Sequence, residues 1–210
     1  MKTIVYLIRH SEPMKVENLD YNDSLQLKNE KNVLSINGEK RAEILSNYKE
    51  LKNIDIVISS NYVRAISTAK YIAANNNLKV FVAEQFGERK HGITSWDELP
   101  SDFEQRQIED ENYKIGVGES QKEVRDRMYL ALTQVLNKTC GKRVVIVSHA
   151  TALMFLFMKF CRKENNTLYF KDKVLFDNSY KWQAPELFKL TFNDKNELLD
   201  IENIRLEELK

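Results

Sequence analysis

Four stretches of the chain are short, dense in Val and Ile, and mostly apolar at every position: Thr3–Ile8, Asp55–Ser59, Lys79–Ala83 and Arg143–Val147. Continuous runs of this kind suit parallel strands covered on both faces. Between them, apolar residues recur every three to four positions. Gly38–Leu51 carries Ala42, Leu45 and Leu51, and Tyr62–Ala74 carries Val63, Ile66, Ala69, Tyr71 and Ile72. Glu119–Asn137 carries Val124, Met128, Leu132 and Val135, with Gly141 just beyond its end. A further helix, Ala150–Cys161, follows the fourth run directly. Strands alternating with helices predict an α/β protein: a three-layer sandwich whose mostly parallel central sheet is flanked by helices.

Two segments fall outside this pattern. Residues 12–33 and 89–118 are polar and lack a clear period, and long connections of that sort are usually functional loops or caps. Near the end, Pro185–Phe192 and Glu197–Ile204 read as two strands joined by Asn193–Asn196, an antiparallel edge to the sheet.

Composition adds bounds rather than identity. The 210 residues suffice for one domain with an inserted cap and a substantial core. A net charge of +1 supplies no strong attraction to nucleic acid or to a membrane surface. The longest apolar region, Ala150–Phe160, is too short to span a bilayer and contains Lys159. No secretory leader is legible before the first strand, and Cys140 and Cys161 form neither a CxxC pair nor a metal-like cluster. The expectation is a cytoplasmic protein without nucleic-acid or membrane partners. The exposed C-terminal edge could support a homodimer, and the residues leave the oligomeric state open.

The candidate chemistry sits where strands end. Arg9-His10 follows the first strand and Ser148-His149 the fourth, so two of the chain's three histidines occupy strand C-termini. Open α/β sheets bind ligands at that edge. Arg64 falls in the first turn of the helix after the second strand, where a cation opposes the helix dipole unless an anion lies between. Glu88 follows the third strand and, taken alone, reads as a surface glutamate, with Glu84 as a competitor for any acid role. Two histidines without a carboxylate or cysteine at ligand spacing make a poor zinc set, so no metal is expected.

Arg9-His10-Ser11-Glu12, Arg64 with Thr68-Ala69, Glu88 and Ser148-His149 stand in an order and spacing that resemble the histidine phosphatase superfamily, which includes the phosphoglycerate mutases. Leu34-Ser35-Ile36-Asn37-Gly38, and Gly118-Glu119-Ser120 with Arg125 and Arg127, add to the likeness. It extends from residue 3 to about residue 160 and implies a phosphoglycerate mutase-like fold, with residues 1–210 forming one histidine phosphatase domain.

The resemblance further implies hydrolysis of a phosphomonoester through a phosphohistidine, without metal or cofactor. His10 would be the nucleophile, and Arg9, Arg64, His10 and His149 would bind phosphate. His149 would also act in catalysis, and Glu88 would be the acid and then the base. Ser11 stands where the family has glycine and, with His91, is a candidate pocket residue. Over 89–119 four cations face eight carboxylates, which disfavours polyphosphorylated ligands and suits a small phosphorylated metabolite or a broad range of phosphomonoesters. Two alternatives remain at this stage: a phosphoglycerate mutase, and a catalytically silent phosphate-binding module. Phe86, Phe103 and Trp96 could wall a pocket, with core positions expected for at least two of them.

Overall fold

The computed structural model describes residues 1–15, 23–165 and 167–206. In chain order its elements are β1 (Thr3–Arg9), α1 (Leu25–Lys31), α2 (Ile36–Ser46), β2 (Ile56–Ser59), α3 (Val63–Asn75), β3 (Val80–Val82), α4 (Phe103–Glu109) and α5 (Gln121–Lys138). There follow β4 (Arg143–Ser148), α6 (Ala150–Phe157), β5 (Arg162–Glu164), β6 (Thr167–Phe170), β7 (Lys173–Phe176), β8 (Glu186–Phe192) and β9 (Leu198–Ile204). The main sheet has the order β3-β2-β4-β1-β8-β9. Its first four strands run parallel to one another, and β8 and β9 close it as the expected antiparallel edge.

The continuous apolar runs are explained by burial on both faces. Val5, Leu7, Val144 and Ile146 pack against Val124, Met128 and Leu132 of α5 and Leu153 and Leu156 of α6. The alternate residues, Tyr6, Ile8, Val145 and Val147, pack on the opposite side against Leu45 of α2 and Ala65, Ala69 and Ile72 of α3. A strand alternates its side chains between faces, so two cores leave no polar position in its centre.

Several boundaries differ from expectation for local reasons. α2 begins at Ile36, where Ser35 Oγ accepts the Gly38 N–H at 2.9 Å, and it stops at Ser46 before a single 3₁₀ turn, Lys49–Leu51. α5 starts behind Ser120 in a capping box with Glu123. α6 is shorter than expected and ends at Phe157. Gly38 has a steric reason to be glycine: an added Cβ would lie 2.1 Å from the Glu12 carbonyl oxygen.

The described parts of the two segments without periodicity contain regular elements. The first contains α1, with its residues 16–22 lying outside the described residues. The second contains α4 and a 3₁₀ turn at Trp96–Glu98, around a buried Arg89. Arg89 grips Glu104 at 2.6 and 2.8 Å and Gln107 at 2.8 Å. A core satisfied by polar pairing shows no hydrophobic period. Phe86 and Phe103 are buried, while Trp96 is half exposed. A second sheet, β5-β6-β7, was not foreseen; its Phe176 packs with Phe157, Trp182 and Phe188 beneath β8. Among the described residues no helix is long and apolar enough to cross a membrane.

Candidate active site

β2, β4 and β1 are adjacent and parallel, so their carboxyl ends lie side by side. The residues that follow them are Ser60, His149 and His10 respectively. Each turn stays tied to the next strand: the His10 N–H donates to Ser148 O at 2.9 Å, and the Ser60 N–H to Val147 O at 3.0 Å. Topology thus gathers residues that are up to 139 positions apart, from His10 to His149, onto one edge.

His10 Nδ1 lies 2.6 Å from Ser11 O. A carbonyl only accepts, so Nδ1 carries the proton and Nε2 keeps its lone pair. Arg64 Nε donates to that Nε2 at 3.0 Å. The same guanidinium donates through Nη1 to Asn29 O at 2.5 Å and approaches His149 Nδ1 at 3.3 Å through Nη2. With Nδ1 facing a donor, His149 Nε2 carries its proton and donates to Ser60 Oγ at 2.8 Å. The two imidazoles stand edge to face, their centroids 5.0 Å apart. Tyr62 packs 4.4 Å from His149 and carries the Arg64 guanidinium over its ring at 4.7 Å. Arg9, at the end of β1, donates from Nη1 to Gln183 O at 2.9 Å and Trp182 O at 3.3 Å, and its buried Nε has no partner among the described residues.

Both histidines are driven well below the usual imidazole range. For His10 burial dominates, followed by the Arg64 cation, with Arg9 adding to it and the Ser11 carbonyl opposing. For His149 the causes are burial, then His10, Arg64, Arg127 and Arg9. The folded protein therefore holds two neutral imidazoles that the unfolded chain would protonate below about pH 6.5. The unfolded state binds more protons there, so stability falls as pH falls, by about 1.4 kcal/mol per pH unit for each histidine held neutral. Urea unfolding between pH 7 and 5 should show a midpoint that drops with acidification before most carboxylates titrate. A flat midpoint across that range would contradict neutral burial.

The Glu88 carboxylate lies within electrostatic reach of Arg9 and Arg64. Its Oε1 accepts from the Ala152 N–H at the start of α6 and from the Arg89 N–H, both at 2.9 Å. A carboxylate is favoured at a helix N-terminus. The backbone around it is clamped by Arg127, which donates to Gln85 O at 2.7 Å, Gly87 O at 3.1 Å and Glu88 O at 3.2 Å while pairing with Glu119 at 2.6 and 2.9 Å. Glu84 is exposed at the start of the 3₁₀ turn Glu84–Phe86, and both glutamates line a cavity of about 260 Å³ that also touches Tyr62.

The remaining candidates divide. Ser11 is buried, receives no positive φ, and donates its hydroxyl to Gly38 O at 2.7 Å while its N–H donates to Thr68 Oγ1 at 3.0 Å. The backbone here does not use the freedom that glycine alone has. His91 stands apart from the other two histidines, in the wall of a cavity of about 560 Å³ between α1 and the 89–118 segment, 5.1 Å from Trp96. Burial and the adjacent Arg89 bring its imidazole down to about 4. Sequence reasoning passed over Ser60 and Tyr62. A signal for Ser60 was present, since it follows β2 as His10 follows β1.

Among curated proteins, the chain is 28% identical over 131 residues to phosphoserine phosphatase 1 of Hydrogenobacter thermophilus, covering 59% of this chain and 62% of that one. The aligned region is thus less than two thirds of that relative's length. It is 29% identical over 157 residues to the probable phosphoglycerate mutase GpmB of Yersinia enterocolitica, covering 71% and 70% respectively. A crystal structure of Entamoeba histolytica phosphoserine phosphatase with 3-phosphoglyceric acid superposes with a TM-score of 0.70 at 18% identity, over 99% of this chain and 100% of that one. Residues 5–171 match the family described as histidine phosphatase superfamily (branch 1). With its paired strand-end histidines and two arginines on that scaffold, the chain belongs to the histidine phosphatase superfamily.

Proposed function

We propose that the protein hydrolyses phosphomonoesters of small metabolites through a phosphohistidine on His10. The observation that carries this reading is the setting of the buried His10 ring, with Nδ1 2.6 Å from Ser11 O and Nε2 3.0 Å from Arg64 Nε, which assigns the proton to Nδ1 and a lone pair to Nε2. In the first step Nε2 attacks phosphorus in line, the P–O bond to the alcohol breaks, and Glu88 delivers a proton to the departing oxygen. In the second a water attacks the phosphohistidine, Glu88 takes its proton, and the P–N bond breaks to return the lone pair to Nε2. Arg64 exchanges His10 and Asn29 for phosphoryl oxygens, and Arg9 and the His149 ring complete the cradle that opposes their charge.

The acidic balance of the 89–119 segment supports a substrate with one phosphate. Two free cysteines suit a reducing cytoplasm, and the reading treats the whole chain as one domain with α1 and the 89–118 segment around the mouth of the site. The test is turnover of an aryl phosphate in chelating buffer, with the protein assayed for an acid-labile, base-stable phosphoryl group during the reaction. Turnover with that adduct is expected. Interconversion of phosphoglycerates without hydrolysis would replace this reading with a mutase, and neither activity would leave a phosphate binder.

A further inference from the structure

Arg9 ends β1, and in the antiparallel register with β8 it stands opposite Glu186. None of the surface of Glu186 is exposed, a placement that is costly for a carboxylate unless it is fully hydrogen-bonded. It accepts from the Gln183 backbone N–H at 2.8 Å, from Arg205 Nη1 at 3.0 Å, from Asn203 Nδ2 at 3.1 Å, and from the Tyr180 hydroxyl. The same Gln183, with Trp182, turns its carbonyl toward Arg9 Nη1. One peptide segment is thus held by Glu186 from its N–H side and holds Arg9 from its C=O side.

The geometry points to Glu186 as a positioning residue for Arg9: it fixes the Trp182–Gln183 carbonyls that occupy Nη1, leaving the unpartnered Nε for a phosphoryl oxygen. A buried N–H without a partner is unfavourable in the free protein and is satisfied when an oxyanion arrives. This also gives the unforeseen second sheet a role. Trp182 stacks 5.3 Å from Phe176 of β7 and Tyr180 packs 4.5 Å from the same ring, so β5-β6-β7 buttresses the segment that aims Arg9. Asn203 of β9 and Arg205 just beyond it bring the last strand into the same network.

The inference rests on the phosphomonoester reading, and its test separates the two. Binding of inorganic phosphate is measured by calorimetry, and kcat and KM on an aryl phosphate are measured alongside, for wild type, Glu186→Gln, Arg9→Ala and the double variant. Loss of a nearby negative charge would by field alone tighten phosphate binding, so the sign of the change discriminates. Positioning predicts that Glu186→Gln weakens phosphate about tenfold and raises KM, and that this effect disappears in the Arg9→Ala background. Unchanged or tighter binding, or an equal loss without Arg9, would overturn it. If Glu186→Gln does not fold, Arg205→Gln at a position 40% exposed takes its place, with a loss of about threefold that also requires Arg9. Wild type that binds phosphate without turnover would sink the hydrolytic reading alone, because the binding arm still decides on Glu186.

Discussion

Replacing His10 by Ala should lower aryl phosphate turnover by at least about 10⁴-fold, the scale seen when a nucleophile is deleted from a site whose other groups remain. On the proposed mechanism His10 supplies the attacking Nε2 lone pair, and His149 cannot stand in for it, because its own Nε2 is already donating to Ser60 Oγ at 2.8 Å. A water filling the vacated space would lack both the nucleophilicity of imidazole and a base placed to activate it. Binding should survive better than turnover. Arg9, Arg64 and His149 all remain, and Arg64 loses an acceptor for its Nε, which frees that N–H for phosphate. Inorganic phosphate should therefore bind His10→Ala within about tenfold of wild type, while no phosphoryl group is retained on the protein. Turnover within tenfold of wild type would be incompatible with a phosphohistidine at this position.

The central sheet and the strand-end residues were legible because burial and topology write themselves into sequence. A strand covered on both faces must be apolar throughout, and Val144–Val147 could be little else. Residues that close parallel strands must emerge on one edge, so Arg9-His10 and Ser148-His149 were placed before any contact was known. Two of the misses lack an apolar period. Arg89, Glu104 and Gln107 build a buried centre from charge pairing and hydrogen bonds, and such a centre has no period for a pattern to detect. β5 is too short and too polar, as Arg162-Lys163-Glu164, to stand out from a loop. The Glu186 network was hidden for another reason: a glutamate at the head of an apolar strand reads as a surface cap until the register sets it against Arg9. Glu88 needed the resemblance as well, since nothing in Phe86-Gly87-Glu88 announces a bond to a helix more than sixty residues later.

Glu88→Gln should divide substrates by their leaving groups. The substitution keeps the shape of the side chain and an Oε1 able to accept from the Ala152 and Arg89 N–H groups at 2.9 Å, so the fold around it should persist. What disappears is a group able to deliver and then take a proton. Alkyl phosphates, whose alkoxides leave poorly without protonation, should lose about 10² to 10⁴-fold in kcat/KM. An aryl phosphate with an acidic phenol needs little help in the first step, and its loss there should stay near tenfold. On the proposed mechanism the second step is the same for every substrate and uses Glu88 to deprotonate water. The variant given an activated aryl phosphate should therefore release one equivalent of phenol per protein in a burst and then slow sharply, with phosphoryl group accumulating on His10. Glu84→Gln, at an exposed side chain without a bond to the helix, should remain within about twofold on both classes. A larger loss in Glu84→Gln than in Glu88→Gln, or equal losses for alkyl and aryl substrates, would move the proton-transfer role away from Glu88.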